Sequence, residues 1–119
     1  MRKSLLLFVV AAFFATTGLQ AQGPWTSNGC TVTLADGVMT VSKIPGDLNS
    51  GKTGSYSDDA SGVPWKSYRS LIRSIVVEEG VKVIGSACFH TCPNVTSVSL
   101  PSTLTEIGSR AFVGLTTYL

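Results

Sequence analysis

The sequence has little charge, a single histidine and no basic cluster, and these shortages exclude several classes of function. Charged residues make up 13% of the chain, with nine basic and seven acidic side chains. Two of the nine, Arg2 and Lys3, lie at the extreme N-terminus, and without them seven basic residues balance seven acidic ones. A nucleic-acid-binding domain keeps a basic patch or stripe. We therefore predict that the protein does not bind nucleic acid.

The chain also lacks an apolar run long enough to cross a membrane. Residues 5–15 form the longest run, and it is shorter than the about 20 apolar residues that a spanning helix needs. The run follows two basic residues and precedes Ala21, which is the layout of a secretory signal peptide. No cysteine follows it closely, which argues against lipid attachment. We predict a signal peptide over residues 1–21, cleaved after Ala21, and a secreted or surface-held protein without a transmembrane segment.

Cysteine is scarce too, and three cysteines cannot all pair within one chain. Cys30 is remote in sequence from Cys88 and Cys92, and we favour buried thiols over any disulfide. Cys88, His90 and Cys92 together offer only three metal ligands, so no metal site is predicted. His90 is also the sole histidine available as a base, and no serine resembles an activated nucleophile. We predict no catalytic, cofactor-binding or metal-binding residue, and expect that the protein is not an enzyme.

Residues 30–44 alternate between apolar and hydroxyl side chains, with a turn signal midway. Asp36 and Gly37 are typical of a tight turn between two strands. We predict a β-hairpin that pairs residues 30–35 with residues 38–44. Met39 interrupts the alternation, so the sequence leaves the register open.

Residues 45–64 are rich in Gly, Ser, Asp and Pro and predict a loop. Within it, residues 46–53 match the phosphate-binding pattern G-x-x-x-x-G-K-T. That pattern needs a helix directly afterwards, but a polar stretch follows, so we do not predict a nucleotide site. Asp58 and Asp59 could hold calcium weakly, but we favour their interpretation as solvated loop residues.

Ordered structure is predicted to restart at Pro64. Trp65 and Tyr68 are three residues apart and can share one face of a short helical turn. We favour the interpretation that they cover the end of the following core, and a binding platform stays open as the alternative. We therefore assign residues 22–71 to an N-terminal β-rich cap with a polar loop.

The remainder of the chain repeats itself with an offset of 23 residues. Residues 83–89 read VIGSACF and residues 106–112 read EIGSRAF, and apolar positions on both sides pair without a gap. A period in the twenties is the signature of a solenoid whose units stack to share a core. Gly85 and Gly108 recur where the chain must turn, and we assign them to backbone angles that glycine tolerates.

We predict a mostly β, α+β solenoid fold with two repeat units, residues 72–94 and 95–117, inside a repeat segment of residues 72–119. Each unit contributes apolar side chains to one core. The predicted core residues are Ile75, Val77, Val81, Ile84, Phe89, Cys92, Val98, Leu100, Leu104, Ile107, Phe112 and Leu115.

Each unit also contains one short segment of alternating polarity, which predicts a strand. The two segments would pair in parallel, with apolar side chains inside and the residues between them outside. The outward side chains form the candidate protein-binding face. Its predicted members are Ser74, Val76, Ser97 and Ser99.

The repeat resembles the BspA-type leucine-rich repeats of bacterial surface proteins. The pattern I-x-x-I-x-V-x-x-x-V-x-x-I-G-x-x-x-F-x-x-C, followed by P-S-x-L-x-x-I-G-x-x-A-F, carries the resemblance, which covers residues 30–119. Leu115 at a common Cys position and Cys88 at a common Ala position depart from the family pattern but keep it apolar. The resemblance implies a leucine-rich repeat with an N-terminal hairpin cap.

The same resemblance implies an exported surface for adhesion, with a host extracellular-matrix protein or another cell-surface protein as the partner. The alternative is the first piece, or capping module, of a longer array, without a ligand of its own. With two units, the second would expose the open end of its core, which would either continue into a longer array or dock onto a partner or a second copy. Leu104, Ile107, Phe112 and Leu115 would line that end.

Overall fold

The computed structural model describes residues 21–57 and 61–115, and this part of the chain is mostly β with one 3-10 helix, Lys66–Leu71. The seven strands are β1 (Gln22–Ser27), β2 (Cys30–Ala35), β3 (Val38–Lys43), β4 (Ser74–Val77), β5 (Val83–Ile84), β6 (Ser97–Ser99) and β7 (Glu106–Ile107). They form a five-stranded sheet in the order β1-β2-β3-β4-β6 and a two-stranded sheet of β5 and β7. Across the described residues, we find no helix that is both long and apolar enough to cross a membrane.

The predicted hairpin is confirmed, and its register explains the irregular alternation. β2 pairs antiparallel with β3 around the turn at Asp36 and Gly37, and Met39 lies opposite Leu34. Met39 is fully buried, whereas Val38 is 37% exposed. The inward positions of β3 therefore begin one residue later than the first apolar residue of the strand.

Strand β1 was not predicted from the sequence. It pairs antiparallel with β2, with an irregular register between Gln22 and Trp25. Pro24 lies inside that irregularity and lacks a backbone N–H, which makes a strand hard to recognise from sequence. Trp25 is half-buried against the core.

The 23-residue offset is the register by which the second repeat segment packs on the first. β4 and β6 pair in parallel with Ile75 opposite Val98, and β5 and β7 pair in parallel with Ile84 opposite Ile107. The segments that follow β5 and β7 are also paired: the backbone N–H of Phe89 donates to the carbonyl of Ala111 at 2.8 Å.

Gly85 and Gly108 have a different role from the one predicted. Neither adopts a left-handed backbone conformation. A Cβ on Gly85 would lie 2.0 Å from the carbonyl oxygen of Gly54, and a Cβ on Gly108 would lie 2.5 Å from the backbone nitrogen of Ser86. Glycine is required here because neighbouring coils of the backbone approach each other closely.

The core lies between the two sheets. Six predicted core residues of the first unit are buried: Ile75, Val77, Val81, Ile84, Phe89 and Cys92. Aromatic rings continue this core along the stacking direction. The Phe89 ring stacks on Trp65 at 5.8 Å and on Phe112 at 5.5 Å between ring centroids.

The second unit is covered less completely than the sequence predicted. Leu100 and Ile107, both predicted core residues, are 45% and 47% exposed. Their equivalents 23 residues earlier, Val77 and Ile84, are 3% and 0% exposed, because the second unit packs over them. No described residue packs over the second unit in the same way, and its other predicted core residues, Val98, Leu104, Phe112 and Leu115, are only half-buried.

Candidate protein-binding surface

The outer face of the five-stranded sheet joins the predicted strand positions to the hairpin. Ser74 lies beside Ser97, and Val76 lies beside Ser99. On the other side of β4, Val76 lies beside Thr40, and Thr40 lies opposite Thr33. Hydroxyl and small side chains therefore continue across four strands. We call this surface the hydroxyl face; its residues are Thr31, Thr33, Thr40, Ser42, Ser74, Val76, Ser97 and Ser99.

The hydroxyl face carries no charged side chain. Its residues alternate with buried core residues along each strand, and all are half-buried or exposed. Charged residues flank the rows at both ends. Asp36 follows β2 and Arg73 precedes β4 at one end, and Lys43 follows Ser42 and Glu78 follows β4 at the other. Such a face can make hydrogen bonds and van der Waals contacts but cannot steer a charged partner.

Sequence reasoning missed the hairpin half of the hydroxyl face. The alternation in β2 and β3 was sufficient to place their threonines outward. Nothing in the sequence showed that β3 pairs in parallel with β4, because residues 44–73 separate the two strands. The alternation in each strand is a local signal. The pairing of β3 with β4, which makes the surface continuous, is between residues far apart in sequence.

The phosphate-like segment, residues 46–53, is committed to holding the cap on the repeat. The backbone N–H of Gly51 donates to the carbonyl of Gly29 at 3.1 Å, and that of Thr53 donates to the carbonyl of Val83 at 3.0 Å. The hydroxyl oxygen of the buried Thr53 accepts the N–H of Gly85 at 2.7 Å. These amides face protein carbonyls, so they do not form a cradle for phosphate.

The same segment extends the smaller sheet toward the N-terminus. The carbonyl of Gly51 accepts the N–H groups of Lys82 and Val83, at 2.7 and 3.1 Å. The carbonyl of Lys82 accepts those of Thr105 and Glu106 in the same way, at 2.8 and 3.2 Å. The predicted loop therefore packs on the first unit as the first unit packs on the second. Asp58 and Asp59 lie outside the described residues.

Trp65 and Tyr68 belong to one aromatic cluster at the junction of cap and repeat. Trp65 is fully buried, and its ring lies 6.1 Å from Trp25 and 6.0 Å from Tyr56 between centroids. Tyr68 is half-buried and lies 5.7 Å from Trp25. The burial of Trp65 agrees with a covering role and leaves that ring unavailable as a binding platform.

The cysteines and the histidine do not form a reactive centre. Cys30, Cys88 and Cys92 are free and buried, and burial raises the pKa of these thiols to about 11, 12 and 11. The Nδ1 atom of His90 lies 2.7 Å from the hydroxyl of Thr91. Within residues 21–57 and 61–115, no group of three or more His, Cys, Asp or Glu side chains is arranged to hold a metal ion.

Comparison with known proteins gives a family match for the repeat segment. A family model described as a BspA-type leucine-rich repeat region of six copies matches residues 67–117. The repeat segment is thus similar to the BspA-type leucine-rich repeat family. No curated protein gives a significant match.

A solved leucine-rich repeat structure is similar to most of the chain. The crystal structure of a leucine-rich repeat protein from Eubacterium ventriosum ATCC 27560 matches with a TM-score of 0.69 and 28% sequence identity. The match covers 87% of this chain and 26% of that protein. The chain thus spans about a quarter of the length of that relative, and the similarity includes the cap as well as the repeats.

Similarity to the BspA-type family has functional consequences at a general level. Leucine-rich repeat proteins are typically non-enzymatic binding modules, and the BspA-type family is typically found at the bacterial surface or secreted. The repeat segment is therefore of a protein-interaction type.

Proposed function

We propose that this chain is an exported adhesion module that binds a protein through the hydroxyl face. The partner is a host extracellular-matrix protein or another cell-surface protein. The observation that carries the proposal is the continuity of the uncharged face from the hairpin through β4 to β6. The proposal includes the domain division predicted from the sequence: a cap of residues 22–71 and a repeat segment of residues 72–119 with two solenoid units, 72–94 and 95–117.

Export rests on the N-terminal segment. Strand β1 begins at Gln22, directly after the proposed cleavage site at Ala21. Residues 1–20 themselves lie outside the described part of the chain. N-terminal sequencing of the exported protein tests this step: we expect a chain that starts at Gln22, and an intact Arg2 and Lys3 would contradict cleavage.

The dimensions of the hydroxyl face set its affinity. Four strands about 4.8 Å apart, each presenting about 10 Å of its length, cover roughly 200 Å². A standard interface buries about 800 Å² on each partner. The face alone therefore supports weak, transient binding, and an adhesion function needs the flanking loops or many copies on one surface.

Direct binding measurements test the face. Immobilised matrix proteins are titrated with the exported chain at low and high salt, and we expect weak binding that changes little with salt, because the face is uncharged. Thr40→Lys places a charge in the middle of the face and is expected to abolish binding. Leu48→Lys, at a fully exposed loop position, adds the same charge elsewhere and should leave binding intact. Equal loss in both variants would refute the assignment of the face.

A second candidate function is a capping module of a longer array with a structural role. The exposure of Leu100 and Ile107 favours it, because both side chains are positioned to be covered by a following unit. Reading the coding sequence beyond Leu119 tests this candidate. Further units with the same 23-residue pattern would support it, and an immediate stop codon would contradict it.

A further inference from the structure

The two edges of the five-stranded sheet differ in how they are protected. At the β1 edge, Pro24 removes one backbone donor and the register is irregular between Gln22 and Trp25. Proline and irregular pairing are two of the devices that prevent edge strands from pairing with another chain. The β1 edge is therefore closed to further strand addition.

Among residues 21–57 and 61–115, nothing protects the β6 edge in a comparable way. Residues 91–105 contain no charged side chain, although charge is the commonest guard of an edge strand. Ser97 and Ser99 are exposed, and Val98 lies between them. Pro101 follows the strand but does not interrupt it.

Backbone alternation shows which groups face the open side of β6. The N–H groups of Ser74 and Glu78 donate toward β3, to Gly37 and Val41. Backbone groups of successive residues in a strand point to opposite sides. Those of Ile75, which follows Ser74, therefore point toward β6, where Ile75 lies opposite Val98. In a parallel pair, those groups bond to the residues that flank the opposite one, so the N–H and C=O of Val98 point outward.

An apolar surface adjoins this open edge. Leu100, Ile107 and Val113 are 45%, 47% and 49% exposed. Phe112 is half-buried, with one face of its ring stacked on Phe89. This end of the second unit is the counterpart of the end of the first unit that β6 and β7 cover, so it is already shaped for a stacked strand and its side chains.

We propose that the open edge of β6 pairs with the same edge of a second copy of this chain, antiparallel about a two-fold axis at Val98. The outward N–H and C=O of Val98 then exchange two hydrogen bonds with the partner's Val98. Ser97 lies opposite the partner's Ser99, and no like charges meet. Because the β1 edge is closed, the contact cannot repeat, and the product is a dimer rather than a filament.

Light scattering coupled to size-exclusion chromatography tests the proposal on the protein purified after export. We expect twice the protomer mass, with dissociation on dilution. The double variant Ser97→Lys with Ser99→Lys places lysines opposite each other across the axis and should be monomeric. The control, Thr31→Lys with Thr33→Lys, adds the same charge to the same face of β2 and should remain dimeric.

A second pair of variants separates the apolar end from the strand edge. Leu100→Thr with Ile107→Thr removes exposed apolar surface at the end and should weaken the dimer at least tenfold. Leu48→Thr with Leu71→Thr removes two exposed apolar side chains elsewhere, which are 101% and 41% exposed, and should leave the mass unchanged. Circular dichroism confirms that each variant is folded.

Three results would overturn the proposal. One is a monomer at every concentration, which would leave the edge to another occupant, such as a following repeat unit. Another is a mass that grows beyond two copies, as head-to-tail stacking would give. The third is a dimer that survives the two lysines in β6. Hydrogen exchange gives an independent readout, because the Val98 amide should exchange more slowly as the protein concentration rises.

Discussion

Replacing Phe89 by alanine is the sharpest test of how the cap and the two units share one core. The Phe89 ring is fully buried. It lies between Trp65 of the cap junction and Phe112 of the second unit, at 5.8 and 5.5 Å between centroids. The two ring pairs are close to parallel, with interplanar angles of 27° and 19°. Removing this ring takes away the contact on which both neighbours stack.

The expected loss follows from the area that the ring buries. An aromatic side chain buries about 150 Å² or more, and at about 25 cal/mol per Å² this gives about 4 kcal/mol. Measured Phe→Ala substitutions in cores cost about 3–5 kcal/mol, which includes the cavity that remains. Phe112→Ala should cost less, because Phe112 is only half-buried.

Urea denaturation followed by tryptophan fluorescence measures both losses. A domain of this size has a free energy of unfolding of about 5–15 kcal/mol, so Phe89→Ala should lower the midpoint strongly or unfold the protein. Phe89→Leu, which keeps most of the volume, is the control and should cost less than half as much. A loss below about 1 kcal/mol for Phe89→Ala, or a larger loss for Phe112→Ala, would refute the shared core.

Three further predictions test the cap, the contact between units and the thiols. Thr53→Val leaves the buried N–H of Gly85 without its acceptor and should lower the free energy of unfolding by about 1–3 kcal/mol, whereas Thr53→Ser should restore most of it in the same urea titration. The carboxylate of Glu79 accepts the backbone N–H and the hydroxyl of Ser102, both at 2.9 Å, and these bonds lower its pKa below the usual 4.5. Because the pKa of Glu79 is lower in the folded than in the unfolded protein, its ionised carboxylate stabilises the fold above pH 4.5. That stabilisation is lost as the pH falls through the folded pKa. The difference in urea midpoint between the wild type and Glu79→Gln should therefore be present at neutral pH and vanish in acid. Native protein should react slowly with a thiol reagent at pH 8, because burial raises the pKa of all three thiols. Denatured protein should show three free thiols. A thiol that reacts fast in the native protein, or fewer than three in the denatured protein, would contradict the structure at Cys30, Cys88 and Cys92.

Local signals were sufficient for the hairpin and for the repeat. Asp36 and Gly37 fix a turn through their own backbone preferences, and alternation on both sides fixes two strands. The 23-residue offset between Ile84 and Ile107 reappears as the register of β5 on β7. Both features could be predicted because the information lies in residues adjacent in sequence, or in a repeat whose units must stack in register to share a core.

The cap was harder to predict because its contacts are distant in sequence. The bond between Thr53 and Gly85 joins residues 32 apart, and the segment around Gly51 has the composition of a loop although it continues the smaller sheet. Gly51 fits a phosphate-binding pattern because both structures need close backbone approach at that position, whereas a Cβ on Gly46 would meet nothing within 4 Å. The structure shows that Gly51 allows the cap to pack closely on the first repeat unit: a Cβ on Gly51 would lie 2.3 Å from the carbonyl oxygen of Gly80.

The sequence by itself determined the family resemblance, the hairpin and the repeat period, because each depends on a local pattern. The tertiary structure decided which surfaces are continuous and which edges are open. The hydroxyl face exists only because β3 pairs in parallel with β4, and the difference between the β1 and β6 edges depends on the order of strands in the sheet. Apolarity alone predicted Leu100 and Ile107 as core, but their burial depends on whether another layer of chain packs over them, and that is a property of the assembled structure.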